Sequence, residues 1–138
     1  MDLSQFHEDH AFLRCQAVRL HDLITRDEPA VDRAARLHAA LHVLRARLAL
    51  HLAIEDRFLY PQVEAAEPDE LLGTAYDLRR ALGHLDQSLS ALMERFDHAA
   101  AIEKQPEIFE RLLGDLLSSL QQRMDQEEAQ LFPIAAVL

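Results

Sequence analysis

Several residue types are scarce in this chain of 138 residues, and each scarcity excludes a class of protein. A single cysteine, Cys15, excludes an internal disulfide framework and fits a reducing compartment. Three glycines and five prolines in a chain that is 49% apolar are typical of an all-helical soluble protein. Eight histidines beside two tyrosines and no tryptophan favour metal or proton chemistry over aromatic ligand binding.

Positive charge is also in deficit, since 14 Lys and Arg face 24 Asp and Glu and leave a net charge of -10. Nucleic-acid backbones and anionic membrane surfaces are therefore not expected partners. The N-terminus lacks a basic segment followed by an apolar one, and Arg, His or Asp interrupts each apolar stretch short of a membrane span. We expect a cytoplasmic protein with one domain over residues 1–138; a homodimer is compatible with the sequence, which identifies no protein partner.

Apolar residues recur at steps of three and four in four blocks of the chain, the spacing of amphipathic helices. The first block lies between Ser4 and Thr25, and the others follow Pro29, Pro68 and Pro106. No strand pattern competes with them. Four helices joined by short polar loops predict an all-α fold, an antiparallel up-down-up-down four-helix bundle.

One chemical pattern occurs twice, 72 residues apart. His51 and Glu55 precede a Leu-Tyr-Pro sequence, and Arg123 and Glu127 precede Leu-Phe-Pro. Side chains four residues apart on a helix lie on one face, so an imidazole and a carboxylate at this spacing can reach a single metal ion. The second copy has arginine where the first has histidine.

Five polar residues interrupt the apolar stripes of the helices: His10, His51, Glu55, Arg123 and Glu127. An unpaired imidazole or carboxylate in a bundle core costs several kcal/mol, so these groups must be satisfied by one another, by water or by a cation. The antiparallel arrangement brings the relevant helix ends to one level. We therefore predict that these residues converge at one end of the bundle.

These motifs resemble the hemerythrin family, in particular the bacterial hemerythrin-like HHE cation-binding domains. The resemblance spans the whole chain and rests on residues 8–14, on His51-x-x-x-Glu55 with its Leu-Tyr-Pro tail, on His84, and on Glu127 with its Leu-Phe-Pro tail. It implies a non-haem di-iron centre held by histidines and two bridging carboxylates. It further implies O2 binding, O2 or NO sensing, or iron handling. No residue of the sequence forms a nucleophile with a paired base, so we do not expect an enzyme, and peroxide or redox chemistry at a bound metal stays open as an alternative.

Carried over by position, the resemblance implies that His10 and His51 serve one iron and that Glu55 and Glu127 bridge. It implies that His84 serves the other iron. A second histidine one turn after His84 would have to be Ser88, and the histidine of the fourth helix is Arg123.

An arginine cannot ligate a metal, because its guanidinium stays protonated, but it can stand in for a cation beside two carboxylates. We predict a half-occupied centre in which Arg123 fills the second position and pairs with one or both of Glu55 and Glu127. At most one metal would remain, iron, manganese or zinc. The alternative is a vestigial, metal-free bundle with a structural or interaction role, in which Arg123 has replaced the metal outright.

Other side chains offer competing assignments. Glu128 is adjacent to Glu127 and could take its place. His38 and His42 also stand four residues apart, but they lie off the apolar stripe, so we expect them on a solvated face. Tyr60 is expected in the core or in support of a ligand.

Overall fold

The computed structural model describes residues 1–66 and 72–138, and over these two ranges it is helical and contains no strand, as the sequence predicts. The helices are α1 (Ser4–Thr25), α2 (Ala30–Ile54), α3 (Tyr60–Ala66), α4 (Leu72–Leu82), α5 (Leu85–Arg95), α6 (Ala99–Lys104), α7 (Pro106–Gln126) and α8 (Phe132–Ala136). Two π-helical turns, Glu55–Leu59 and Glu127–Leu131, connect α2 to α3 and α7 to α8.

The predicted first and fourth helices correspond to α1 and α7, and Pro106 is the first residue of α7. The predicted third helix is divided into α4 and α5 by a turn at Gly83 and His84, and its expected start near Pro68 lies outside the described residues. A Cβ atom at Gly83 would lie 2.7 Å from the carbonyl oxygen of Arg79. The turn therefore depends on the absence of a side chain at this position.

Four of the helices form a closed ring of contacts, because α1 and α5 each pack against both α2 and α7. Their inward faces supply a large apolar cluster that includes Leu13, Leu20, Leu41, Leu44, Leu48, Leu89, Leu113 and Leu120. A smaller cluster consists of Leu3, Phe6, Leu59, Tyr60, Val63, Ala75, Leu78, Leu131, Phe132 and Ala135. Along α1, α2 and α7 the change from one cluster to the other falls at buried polar residues, which we call the polar layer: His10, His51, Glu55, Arg123 and Glu127.

Each π-helical turn begins at a glutamate of the repeated pattern and ends just before an aromatic residue and a proline. The N–H of Tyr60 bonds to the carbonyl of Glu55, five residues back, and Phe132 bonds to Glu127 in the same way. Pro61 carries no N–H, and its ring would collide with the carbonyl four residues earlier in a regular α-helix. A wider turn removes this conflict and lets the helix continue.

The extra residue in the first π-helical turn changes which side chain enters the core. Regular periodicity places Phe58 inward after Glu55, but in the structure Phe58 is 50% exposed and Leu59 is 0% exposed. An extrapolation of the regular helical period beyond Glu55 is thus wrong at Phe58, because a π-helical turn advances the inward face by one residue.

The continuous helix from Ala30 to Ala66 is long and apolar enough, by length and composition alone, to cross a membrane. It is longer than the interrupted apolar stretches suggested, because the helix runs on through its Arg and His residues. Core helices of soluble proteins pass the same test, and the leucines at 37, 41, 44 and 48 of this helix are buried in the apolar core.

Because Leu59 and not Phe58 enters the core, alanine substitutions at these two neighbouring positions should differ in their cost to stability. Leu59→Ala removes a fully buried side chain and should lower the free energy of unfolding by about 2–5 kcal/mol. Phe58→Ala, the matched control, should lower it by less than about 1 kcal/mol. Urea denaturation of both variants measures the difference, and a larger loss for Phe58→Ala would contradict the π-helical turn.

Candidate metal centre

Four of the predicted site residues meet in the polar layer. His10 comes from α1, His51 from α2, and Glu55 and Glu127 each open a π-helical turn. One nitrogen or oxygen atom from each lies within 4.8 Å of those of the other three, and all four residues are buried. Among residues 1–66 and 72–138, no other group of three or more histidine, cysteine or acidic side chains meets this criterion.

A carboxylate holds each imidazole in a defined orientation. Nδ1 of His51 lies 3.1 Å from Oδ2 of Asp9, and Nδ1 of His10 lies 3.2 Å from Oε1 of Glu128. A carboxylate only accepts hydrogen bonds, so Nδ1 of each ring donates. Nε2 of each neutral ring then carries a lone pair, which is the state that a metal ligand requires.

Each supporting carboxylate has an arginine beside it. Arg14 donates to both carboxylate oxygens of Glu128, with its Nη1 2.8 Å from Oε1, and also lies 3.0 Å from Asp125. The hydrogen bond from Arg14 lowers the pKa of the Glu128 carboxyl group. Nη2 of Arg47 lies 3.9 Å from Oδ1 of Asp9. These contacts favour the ionised carboxylates that orient the two imidazoles.

The inward atoms of the four residues face one another without hydrogen-bond partners. Nε2 of His10 lies 3.4 Å from Oε1 of Glu127, and Nε2 of His51 lies 3.0 Å from Oε1 of Glu55. Both Nε2 atoms, Oε1 of Glu127 and Oε2 of Glu55 are buried and unsatisfied. Facing lone pairs repel, and buried polar atoms without partners are costly. A cation accepted by these lone pairs removes both penalties, so the donor set fits a metal ion.

The pKa values of the two buried glutamates shift in opposite directions. Burial raises the pKa of Glu55, although the neighbouring His51 opposes this shift. Burial would also raise the pKa of Glu127, but the neighbouring His10 and Glu55 and the charge of Arg123 lower it overall. Burial would lower the pKa of His51, and the Glu55 carboxylate reverses that effect. The pKa of Glu55 therefore lies above its ordinary value, and that of Glu127 lies below it.

Arg123 lies between the two glutamates and does not extend into solvent, since its side chain is 5% exposed. Its Nε lies 3.3 Å from Oε2 of Glu127, and its Nη2 lies 3.5 Å from Oε1 of Glu55. The hydroxyl of Tyr60 also donates to Oε2 of Glu127, at 2.6 Å. One oxygen of Glu127 is therefore engaged by Tyr60 and Arg123, and the other faces His10.

His84, the fifth predicted ligand, lies outside the group formed by the other four. The side chain is exposed and precedes α5, directly after the turn at Gly83. The sequence pattern places His84 within an unbroken helix, on the flank of its apolar stripe, and the turn interrupts that helix. Ser88, one helical turn further on, borders a groove between α5 and α7 and not the polar layer.

The structure also places the side chains that offered alternative assignments. Glu128 does not replace Glu127, because it contacts the outer nitrogen of His10. The rings of His38 and His42 contact each other 4.6 Å apart, and His42 is exposed, as expected. The supporting role of Asp9 was not predicted from the sequence. Its position next to His10 is the feature that could have indicated this role.

Together, the helical fold and the buried histidine–carboxylate layer define a class of protein: a helical domain with a site suited to a cation. The family model described as the hemerythrin HHE cation binding domain matches residues 1–135. The chain therefore belongs to this family, as its motifs indicated. No curated protein sequence and no solved structure matches the chain.

The supporting carboxylates predict a measurable loss of metal affinity when they are removed. Glu128→Gln and Asp9→Asn should each weaken Zn(II) binding by about 10- to 100-fold, because a neutral amide replaces the charged acceptor that orients the imidazole and makes it more basic. Asp125→Asn is the matched control, since Asp125 contacts Arg14 but no imidazole of the layer. Competition with a chromophoric chelator measures the affinities. Equal affinity in Glu128→Gln and Asp125→Asn would contradict the role of Glu128.

Proposed function

We propose that this hemerythrin-like protein binds one non-haem metal ion, iron, through His10, His51, Glu55 and Glu127. The observation that carries the proposal is the set of four buried, unsatisfied atoms that these residues direct at one another. Mn(II) and Zn(II) also suit two imidazoles and two carboxylates. The chemistry that bound iron supplies is reversible coordination of a small diatomic ligand, O2 or NO.

In the same proposal Arg123 takes the place of a second metal ion. Its contacts with Glu55 and Glu127 support this role, because these are the carboxylates that would otherwise bridge two ions. The exposed position of His84 supports it further, since the second ion would lack that ligand as well. The centre is therefore a mono-metal one.

The setting that we propose for this site is a single antiparallel four-helix bundle over residues 1–138. The closed ring of contacts among α1, α2, α5 and α7 supports the bundle. We propose a soluble, cytoplasmic protein whose net charge of -10 keeps it from nucleic acids and membrane surfaces. Its role is ligand binding, sensing or iron handling, and not catalytic turnover; a sensing role requires a protein partner or a second copy of the chain.

A metal-free protein with a structural or interaction role is the second candidate. The pairing of Arg123 with Glu55 and Glu127 favours it, because an arginine between two carboxylates stabilises them without any ion. The unsatisfied Nε2 atoms of His10 and His51 favour the metal centre, because Arg123 satisfies neither of them.

Elemental analysis of protein purified without an affinity tag distinguishes the two candidates. We expect about one iron, manganese or zinc ion per chain. His51→Gln should abolish metal binding, and His42→Gln should not, because His42 lies on the exposed surface of the same helix. Two irons per chain with an oxo-bridged absorption spectrum would contradict the mono-metal centre.

Thermal unfolding provides an independent prediction. A metal at 100 times its Kd adds about 2.7 kcal/mol to the free energy of unfolding, so removal of the metal by a chelator should lower the Tm. In the His51→Gln variant the chelator should have no effect. A wild-type Tm that is indifferent to the chelator would favour the metal-free protein.

A further inference from the structure

The net charge of the polar layer follows from the formal charges of its side chains. When they bind a metal, Glu55 and Glu127 each carry one negative charge and the imidazoles of His10 and His51 are neutral. Arg123 adds one positive charge that it cannot lose. Before any metal binds, the four ligands and Arg123 therefore carry a net charge of -1.

The groups around the ligands carry further charges. Asp9 lies behind His51 at the edge of the layer, and Nη2 of Arg47 lies 3.9 Å from it. The charge of Glu128 is paired with Arg14. On the far side of Arg123 lies a groove that is also lined by Asp56, Arg79 and Asp86.

Arg79 pairs within the protein, 3.8 Å from Asp56 and 3.4 Å from Glu64. The carboxylates of Asp56, Asp86 and Glu64 therefore outnumber the one further cation at this groove, Arg79. Within the layer itself, the guanidinium of Arg123 is the cation that pairs with both glutamates.

A divalent ion changes the net charge of the ligands and Arg123 from -1 to +1, and a trivalent ion changes it to +2. Charges interact strongly in a buried site because little solvent screens them. Arg123 therefore penalises the trivalent form of a bound metal more than the divalent form.

We propose that Arg123 determines the valence of the bound ion: the site selects one divalent ion, and bound iron is held in the ferrous state. This inference rests on the proposed metal centre and goes beyond it, since it assigns to Arg123 a positioning and charge role toward an ion that it does not ligate. The midpoint potential of the bound iron should be high and should depend on the charge at position 123.

Two variants separate charge from shape at this position. Arg123→Gln removes the charge and keeps a hydrogen-bond donor, and Arg123→Lys, the matched control, keeps the charge. Each protein is loaded anaerobically with iron, and its metal content and circular dichroism are recorded. The midpoint potential is then measured by a dye-mediated titration that follows the electron paramagnetic resonance signal of high-spin ferric iron.

We expect wild type and Arg123→Lys to have similar potentials, and we expect Arg123→Gln to have a lower one. A tenfold shift in the preference for Fe(II) over Fe(III) corresponds to about 59 mV for one electron, and we expect at least that. Iron-loaded Arg123→Gln with the wild-type potential would overturn the inference and leave the metal centre in place. Wild-type protein that binds no metal would overturn the proposed function itself.

A second measurement needs no variant and no redox change. Wild-type protein is offered equal concentrations of Zn(II) and Ga(III), both as nitrilotriacetate complexes, and the bound elements are quantified after gel filtration. The inference predicts that Zn(II) occupies the site. Replacement of Zn(II) by Ga(III) would overturn it, whether or not Arg123→Gln folds.

Discussion

The burial of two carboxylates and two imidazoles in an apolar interior is the constraint on which the rest of this structure depends. Water cannot stabilise these groups there, so each must find its partner within the protein or in a bound ion. The outer nitrogens of His10 and His51 find theirs in Asp9 and Glu128. Their inner nitrogens do not, and that imbalance makes the layer suited to a cation.

The repeated pattern places its glutamates in the layer through a local irregularity of the helix. A proline six residues after each glutamate prevents a regular α-helix, and the resulting π-helical turn starts at the glutamate itself. The helix continues beyond the turn, so apolar side chains seal the layer on both sides. The same features that set the position of the carboxylates therefore also exclude water from them.

The two copies of the pattern contribute different side chains to the polar layer. The first supplies the ligands His51 and Glu55 and the hydroxyl of Tyr60, which reaches the glutamate of the second copy. In the second copy a phenylalanine replaces this tyrosine, and its ring stacks on His10 with centroids 5.1 Å apart. Arg123 replaces the histidine and supplies charge. The first copy thus provides two groups suited to a metal, and the second provides one, Glu127, together with a fixed cation, which explains how a repeated pattern yields an asymmetric site.

The sequence by itself determined the helices and the inward polar residues, because burial on a helix follows a local period of three to four residues. His10, His51, Glu55 and Glu127 could be named from that period, and Arg123 was visible as the departure from the repeat. The local pattern also contains the prolines that cause the π-helical turns, although periodicity alone placed Phe58 where Leu59 lies.

Only the tertiary structure decided which residues from different helices share the layer. His84 has a suitable side chain, but a turn at Gly83 takes it to the surface. Asp9 and Glu128 were visible in the sequence beside ligands, yet their hydrogen bonds to the imidazoles depend on how α1 packs against α2 and the second π-helical turn. Such contacts join residues far apart in the chain, and a periodicity that is local to one helix carries no information about them.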